Sequence, residues 1–210
     1  MIIGLTTRLD AIPNTNEVRA CIDTNWFEFL KPVASEIIII QTFHCNYPVN
    51  VKDLDFLILS GGNDIYEVCK STLSDKRDNI EMLLIKNCIS HNIPILGVCR
   101  GMQIINKYFG GSFVQLDNHV RTIHKLNATF SWLNNIDRSN SFHNWGILPN
   151  NLSNKLIAGA NCIEDGSVEA IEHPKLKIRG VMWHPERWDA SLGEETTYYI
   201  QQREILNFNK

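Results

Sequence analysis

A cysteine stands where an apolar run gives way to a segment with helical spacing. Residues 93–98 (IPILGV) have the composition of a buried strand, and Cys99 follows them directly. Met102, Ile105 and Phe109 then recur at the spacing of one helix face. A turn from strand to helix can display a thiol beside the backbone N–H groups of the helix start, which favour its thiolate. Cys99 is therefore a candidate nucleophile, although free cysteines are also common in buried cores.

Attack of a thiolate on a carbonyl carbon needs further groups around the sulfur. The oxyanion that forms requires two preorganised N–H donors. Gly97 and Gly101, two residues to either side of Cys99, allow the backbone to come close. The thiol also requires a base, for which seven histidines are candidates: His44, His91, His119, His124, His143, His173 and His184.

His184 is the histidine with an obvious orienting partner. In WHPERW, residues 183–188, Glu186 follows it across a proline that stiffens the turn. A carboxylate in this position can fix the tautomer of the imidazole and stabilise its charged form. HPE alone is also typical of a surface turn, but its combination with GVCRGMQ favours a catalytic set of Cys99, His184 and Glu186.

The elements that position these residues follow from the alternation of short apolar runs with longer helical segments. This pattern predicts an α/β fold, a mainly parallel sheet with helices on both faces, in one domain over residues 1–210. Strands are predicted at 2–6, 37–40, 56–59, 93–98, 156–161, 167–171 and 177–183. Helices are predicted at 75–91, with Ile80, Leu83, Leu84 and Cys88 on the buried face, from Cys99 to Gly110, and at 194–208.

Composition narrows the class of protein. The 210 residues are 44% hydrophobic and 20% charged, and the net charge of −3 gives no basic field for nucleic acid or an anionic membrane. No segment has the apolar length of a membrane span or the pattern of a signal peptide, so we expect a cytoplasmic location. The expected partner is a small molecule.

Metal and disulfide sites are not expected. The six cysteines, Cys21, Cys45, Cys69, Cys88, Cys99 and Cys162, show no close pairing. His119 and His124 are five residues apart, which is off the spacing of a helical metal pair, and no carboxylate cluster adjoins them in the sequence. We therefore expect reduced thiols and no cofactor.

The pair GxCxGxQ and HPE, in this order and at this separation, resembles the class I glutamine amidotransferases and their γ-glutamyl hydrolase relatives. The resemblance extends to LSGG at 59–62, NSFHNWGI at 140–147 and DGSVEAIE at 165–172. It implies a flavodoxin-like fold and hydrolysis of a γ-glutamyl amide through a thioester at Cys99. In this scheme His184 is the general base and then acid, and Glu186 orients it.

The same resemblance implies roles for several other residues. The N–H groups of Gly62 and Arg100 would form the oxyanion hole, and Gln103 would help to hold the glutamyl group. The backbone of Ser141, Phe142 and His143 would contact its α-amino and α-carboxylate ends.

Residues 17–30, EVRACIDTNWFEFL, bear on the leaving group of the implied amide hydrolysis. Its spacing predicts an amphipathic helix with Trp26, Phe27 and Leu30 facing inward. The segment also resembles the E-x-R…D-x-x-W stretch of a branch linked to nucleotide-sugar and capsule gene products, which implies a cytidine-diphosphate-linked amide bound in part by Arg19. Candidate cations for the diphosphate are Arg8, Arg19, Arg100, Arg121 and Lys125, and Trp26 or Trp145 could stack on a base.

Three interpretations remain open at this point. The first is a free-standing hydrolase of a γ-glutamyl amide, with the nucleotide amide or another amine such as γ-glutamyl-aminobutyrate as substrate. The second is a glutaminase subunit that supplies ammonia to a separate synthetase. The third is a silent binding protein, against which the intact set of Cys99, His184 and Glu186 argues.

Overall fold

The computed structural model describes residues 1–44 and 50–208, so Cys45 lies outside the described residues. The strands are β1 (Ile2–Thr6), β2 (Arg8–Ala11), β3 (Val18–Cys21), β4 (Glu36–Ile40), β5 (Phe56–Leu59), β6 (Ile95–Val98), β7 (Val114–Gln115), β8 (Val120–Ala128), β9 (Arg138–Phe142), β10 (Trp145–Gly146), β11 (Ile157–Cys162), β12 (Val168–Glu172) and β13 (Ile178–Val181). The helices are α1 (Asn25–Leu30), α2 (Tyr66–Cys69), α3 (Thr72–Ser90), α4 (Arg100–Tyr108) and α5 (Glu195–Arg203).

The main sheet has the strand order β4-β1-β5-β6-β13-β12-β11-β8-β9 within the described residues. The strands from β4 to β13 are parallel neighbours. From β13 onward the neighbours are antiparallel, which adds β12, β11, β8 and β9 as an extension. The predicted α/β class is confirmed, and the carboxyl ends of the parallel strands form the edge where ligands bind in such folds.

Two apolar cores lie on opposite faces of this sheet. Successive residues of β5 alternate between them: Leu57 and Leu59 join the core under α3 and α4, and Phe56 and Ile58 join the core under α1. A strand buried on both faces must be apolar at every position, which explains the unbroken run FLIL.

Helix α4 packs unusually close to the sheet. A Cβ on Gly101 would stand 2.0 Å from the carbonyl oxygen of Leu59, and a Cβ on Gly97 would stand 2.3 Å from that of Gly101. Side chains at these two positions would push α4 off β5 and β6. The predicted close approach around Cys99 is therefore confirmed.

Helix α3 begins earlier than predicted, because Ser71 caps it by accepting a hydrogen bond from the N–H of Leu73 at 3.3 Å. Its predicted buried face is confirmed at Ile80, Leu84 and Cys88, whereas Leu83 is exposed. The predicted helix at 194–208 ends its α-helical part at Arg203 and continues as a single 3₁₀ turn.

The helix predicted over residues 17–30 is wrong in its first half. Residues 18–21 are β3, which pairs with β2 in an antiparallel hairpin, so only Asn25–Leu30 is helical. Trp26 and Leu30 are buried as predicted, but Phe29 is buried in place of Phe27. The helical spacing of the charged residues was accidental, since pairing with β2 satisfies the backbone of this segment instead.

None of the described helices combines the length and apolarity needed to cross a membrane. Cys21, Cys69, Cys88, Cys99 and Cys162 are free thiols. Burial raises the pKa of the Cys88 thiol to about 12, as expected for a core cysteine without a catalytic role.

Candidate active site

Cys99 joins β6 to α4 in the predicted strand-to-helix turn. Its backbone has φ 52° and ψ −106°, which residues with a Cβ rarely adopt. Its N–H donates to the carbonyl oxygen of Val181 at 2.8 Å, which ties the turn to β13. Such a conformation costs on the order of 1–3 kcal/mol and persists only where its surroundings enforce it. The thiol therefore stands at the start of α4 in a fixed orientation.

His184 lies beside Cys99, in the turn that follows β13. Its Nδ1 donates to Oε1 of Glu186 at 2.7 Å, and both side chains are buried. Burial lowers the pKa of His184, but the charge of Glu186 and the charge and hydrogen bond of Cys99 outweigh it and raise that pKa to about 10. The structure thus brings together the three residues that the sequence singled out, with the imidazole charged at neutral pH.

Asn140 on β9 holds the His184 turn in place. Its Oδ1 accepts from the N–H of His184 at 2.8 Å, and its Nδ2 donates to the carbonyl oxygen of His184 at 2.8 Å. Tyr198 and Tyr199 of α5 donate to the carbonyl oxygens of His184 and Glu186, each at 3.2 Å. Sequence reasoning missed these contacts. Asn140 begins the NSFHNWGI motif, whereas nothing in the sequence marks the two tyrosines.

The LSGG turn after β5 passes directly over Cys99 and His184. A Cβ on Gly61 would stand 2.5 Å from Cε1 of His184, so a larger residue would displace the imidazole. Gly62 follows with φ 110°, a conformation that favours glycine. The assignment of the Gly62 and Arg100 N–H groups to an oxyanion hole stays a prediction.

The side chain of Arg100 is buried in an ion network beneath the turn. It pairs with Asp78 and Glu81, and all three side chains are buried. Arg77 extends the network, pairing with Glu81 at 3.0 Å and donating to the carbonyl oxygen of Ser60 at 2.7 Å. The expectation that Arg100 is free to bind a phosphate is wrong, because two carboxylates already occupy its guanidinium. The network instead joins α3, α4 and the LSGG turn.

We expect Arg100→Met to lower the free energy of unfolding by about 3–5 kcal/mol, because removing one partner leaves buried carboxylates uncompensated. Urea denaturation followed by circular dichroism measures the change. Lys107→Met is the matched control: Lys107 pairs with the same Asp78 at 3.1 Å but is 22% exposed, so its loss should cost about 0–1 kcal/mol. Equal losses in the two variants would contradict a structural role for the buried pair.

Three of the residues predicted to hold the glutamyl group, Ser141, Phe142 and His143, lie on β9 or directly after it, and their side chains alternate between its two faces. Phe142 is 38% exposed, and its ring centre lies 5.8 Å from that of His184. Ser141 and His143 are buried, and Ser141 Oγ donates to the carbonyl oxygen of His119 at 2.8 Å. Of these three side chains, that of Phe142 lies next to His184, and the predicted contact of the 141–143 backbone with the glutamyl group stays a prediction.

Gln103 is buried on α4. Its Nε2 donates to the carbonyl oxygen of Trp145 at 2.6 Å, and His143 Nδ1 donates to the same oxygen at 3.1 Å. The side chain of Gln103 thus fixes the segment that follows β9, and its predicted contact with the glutamyl group stays a prediction.

A cleft of about 260 Å³ opens beside His184 and Glu186. Its lining includes Arg8, Asp10, Cys21, Asp23, Trp26, Gly61, Gly62 and Arg187. Each of the two arginines is partly exposed and pairs with a carboxylate. Arg8 pairs with Asp10 at 2.8 Å, and Arg187 pairs with Asp23 at 3.0 Å. An anionic group bound next to the candidate catalytic residues would therefore share these two arginines with Asp10 and Asp23.

Arg19 lies on β3, directly opposite Asp10 of β2. Residues opposite each other in an antiparallel pair share a face, so Arg19 is on the face of the hairpin that lines the cleft. It is 57% exposed and pairs with Glu17 at 2.7 Å. Its predicted contact with substrate stays a prediction, now placed on a hairpin rather than a helix.

Of the two tryptophans predicted to stack on a base, Trp145 is half-buried and its contact stays a prediction, whereas Trp26 is placed differently from the expectation. Trp26 is only 2% exposed and packs against Phe29, with ring centres 5.9 Å apart, so its face is not free for a base. Trp188 is 37% exposed and lines a second cavity of about 460 Å³ together with Arg121 and Phe142. That cavity offers an exposed aromatic ring next to an arginine.

Comparison with known proteins adds a family to this geometry. A family model for peptidase C26 matches residues 1–186, which includes Cys99, His184 and Glu186. The chain belongs to the peptidase C26 family. This C26 chain is 35% identical over 191 residues to gamma-glutamyl-CDP-amidate hydrolase of Campylobacter jejuni subsp. jejuni serotype O:2, covering 89% of this chain and 90% of that protein.

The C26 chain is also similar to a synthase component in sequence and to a glutamine amidotransferase in fold. It is 28% identical over 181 residues to aminodeoxychorismate/anthranilate synthase component 2 of Bacillus subtilis, covering 81% of this chain and 86% of that protein. A crystal structure of a glutamine amidotransferase from Thermotoga maritima superposes with a TM-score of 0.71 at 14% identity, over 98% of this chain and 96% of that one. The predicted class I glutamine amidotransferase-like fold is confirmed.

Proposed function

We propose that this chain hydrolyses a γ-glutamyl amide and releases L-glutamate through covalent catalysis at Cys99. The observation that carries the proposal is the arrangement at one edge of the sheet. The thiol of Cys99 is at a strained strand-to-helix turn, next to the imidazole of His184, which is hydrogen-bonded to the buried carboxylate of Glu186. Acyl transfer requires a nucleophile, a base that exchanges its proton and a group that orients the base.

The proposed reaction begins with a thiolate and a charged imidazole. The pKa of His184 is raised by Glu186 and Cys99, which favours its protonated form, and a positive charge beside a cysteine stabilises a thiolate. The sulfur attacks the γ-carbonyl carbon, and the N–H groups of Gly62 and Arg100 bind the oxyanion. His184 then donates its proton to the leaving nitrogen, the carbon–nitrogen bond breaks, and a glutamyl thioester remains on Cys99.

Hydrolysis of the thioester reverses these roles. His184, now neutral, accepts a proton from water as the water oxygen attacks the thioester carbon. The carbon–sulfur bond breaks, glutamate leaves, and the thiolate and charged imidazole are restored. Glu186 holds the imidazole in the required tautomer throughout. The net reaction consumes one water and leaves one amine for each glutamate.

The leaving group proposed here is cytidine diphosphoramidate, so the substrate is γ-glutamyl-CDP-amidate, in a pathway of capsular polysaccharide modification. The 35% identity to the Campylobacter hydrolase supports this choice. The cationic side chains around the cleft support it independently, since arginine contacts to phosphate are among the stronger polar interactions. Arg8 and Arg187 line the cleft, and Arg19 is on the same hairpin face as Arg8.

A panel of γ-glutamyl amides tests the proposal. Released glutamate is measured with γ-glutamyl-CDP-amidate, glutamine and γ-glutamyl-aminobutyrate, and Cys99→Ala serves as the blank. We expect the nucleotide amide to be cleaved fastest, because binding energy from the remote nucleotide lowers the barrier at the γ-carbonyl. Glutamine cleaved equally fast, with a rate that rises when a synthetase is added, would favour the glutaminase subunit.

Arg19→Met is expected to lower kcat/KM for the nucleotide amide roughly tenfold, the scale of one lost charge-assisted hydrogen bond, and to leave slow glutamine hydrolysis unchanged. Methionine keeps much of the length of the side chain and removes only its charge and donors. Steady-state kinetics with both substrates gives the two ratios.

Arg138→Met is the matched control for this test. Arg138 is exposed on β9 and lines a different cavity, so its loss should change neither ratio. Equal losses on both substrates in Arg19→Met would instead assign Arg19 a structural role in the β2–β3 hairpin.

A further inference from the structure

Two imidazoles and a carboxylate that are distant in the sequence meet on the inner side of β9. His119 precedes β8, His143 follows β9, and Glu169 belongs to β12; all three side chains are at least 95% buried. Nδ1 of His119 and Nε2 of His143 each lie 3.9 Å from the same oxygen, Oε1 of Glu169. The three candidate ligand atoms lie within 4.8 Å of one another.

In each imidazole, the nitrogen farther from Glu169 donates a hydrogen bond to an acceptor. The lone pair of the neutral ring is therefore on the nitrogen nearer to Glu169. Nε2 of His119 donates to Oδ2 of Asp165 at 2.9 Å, so its Nδ1 carries the lone pair in the neutral ring. Nδ1 of His143 donates to the carbonyl oxygen of Trp145 at 3.1 Å, so its Nε2 carries the lone pair. Both lone pairs therefore face the carboxylate of Glu169.

Within the part of the chain that the structure describes, two of the four inner acceptor atoms lack a donor, whereas Nδ1 of His119 lies 3.5 Å from Oγ of Ser141. Among the described residues, Nε2 of His143 and Oε2 of Glu169 are buried without a hydrogen-bond partner. Ser167 supplies one donor to the cluster, through Oγ to Oε1 of Glu169 at 3.1 Å. Unsatisfied buried acceptors cost free energy unless a cation or a proton occupies the space between them.

We propose that His119, His143 and Glu169 bind one divalent transition-metal ion of the zinc type. Two imidazoles and one carboxylate are a frequent zinc donor set, and a carboxylate or carbonyl behind each imidazole is the usual outer shell. Calcium and magnesium prefer all-oxygen sites, which this one is not. Metal bonds of about 2.0–2.2 Å place tetrahedral donors roughly 3.4 Å apart. The two 3.9 Å spacings to Glu169 therefore need to contract by about half an ångström, and the spacing of the two imidazole nitrogens, which is within 4.8 Å, by up to about 1.4 Å.

This ion has a structural role. It joins β12 to the segments that flank β8 and β9, which form the antiparallel extension of the sheet. The structure places two carboxylates, Asp165 and Glu169, next to His119, where the sequence indicated none. That expectation relied on spacing along a helix, whereas the ligands here come from three separate segments.

Zinc titration of the metal-stripped chain tests the site. The Cys99→Ser background is used, so that the candidate nucleophile cannot bind the ion. Isothermal titration calorimetry should show one Zn²⁺ per chain, and saturation should raise Tm. Glu169→Gln, which keeps the shape of the side chain, should weaken binding at least about tenfold, the scale of losses reported for groups around metal ligands.

Cys162→Ser is the matched control, because Cys162 lies near His119 and Asp165 and could form a competing site. It should leave zinc affinity unchanged. Loss of binding in Cys162→Ser with retention in Glu169→Gln would overturn the proposed ligand set, and so would the absence of stoichiometric binding, which would assign a proton to Glu169.

Cobalt binding gives a readout that needs no variant of the proposed ligands. Co²⁺ added to the Cys99→Ser chain should give the visible bands of nitrogen and oxygen ligation. Strong sulfur-to-cobalt charge transfer would contradict the proposal.

Discussion

We expect Cys99→Ala to abolish turnover while the fold remains intact, and this is the largest effect that the proposed reaction predicts. The thiol is the acyl acceptor in the proposed reaction, and no other group at the β6–α4 turn can take its place. Rates should fall by at least about 10⁴-fold, toward the residual catalysis that binding and oxyanion stabilisation alone provide. Circular dichroism and Tm should match those of the wild type, because alanine keeps the Cβ and with it the backbone strain at this position.

Cys21→Ala is the control for this experiment. Cys21, unlike Cys99, is among the residues that line the cleft beside His184, so it is an alternative thiol within reach of a substrate bound there. Its replacement should leave the rate unchanged. Mass spectrometry of the quenched reaction should find the glutamyl adduct on Cys99, and an adduct on Cys21 would contradict the assignment.

His184→Ala is expected to lower kcat by roughly 10⁴-fold, with Glu186→Gln less damaging. The imidazole itself gains and loses the proton, whereas the carboxylate orients it and stabilises its charge. The 2.7 Å hydrogen bond between them survives in Glu186→Gln only as a neutral contact. Single-turnover rates of glutamate release measure both effects, and a larger loss in Glu186→Gln would reverse the proposed roles.

The pH profile of kcat distinguishes this role of Glu186 from a merely structural one. The raised pKa of His184, about 10, keeps the acid form populated through neutral pH, so the wild-type rate should decline only as pH rises toward that value. In Glu186→Gln the charge that raises the pKa is gone. The alkaline limb should therefore move to lower pH, and an unmoved limb would show that Glu186 does not control the proton of His184.

The sequence predicted the parallel half of the sheet and the turns that carry Cys99 and His184. These features depend on local signals: apolar runs buried on both faces, glycines at a tight crossing and a proline in a turn. It did not predict the β2–β3 hairpin, where helical spacing of Glu17 and Arg19 competed with a strand pairing that only the folded chain provides.

Arg100 shows a second reason why sequence reasoning failed. An arginine next to a nucleophile suggests a ligand for an anionic substrate, and the sequence alone does not reveal that Asp78 and Glu81 on α3 turn toward it. The same holds for Asn140 and Tyr198, whose contacts with His184 join segments more than ten residues apart. Polar partners across segments are set by tertiary geometry, which has no period along the chain.

Strand β9 and the residue after it serve two neighbourhoods at once, with Phe142 toward His184 and with Ser141 and His143 toward His119 and Glu169. Side chains alternate at every step along a strand, so a one-residue insertion or deletion within 138–142 would exchange the two sets. A phenylalanine would then enter the cluster of imidazoles, and a serine would face His184. A change of length in this short stretch would therefore disturb both neighbourhoods at once, whereas the turn between β2 and β3 is exposed and contributes to neither.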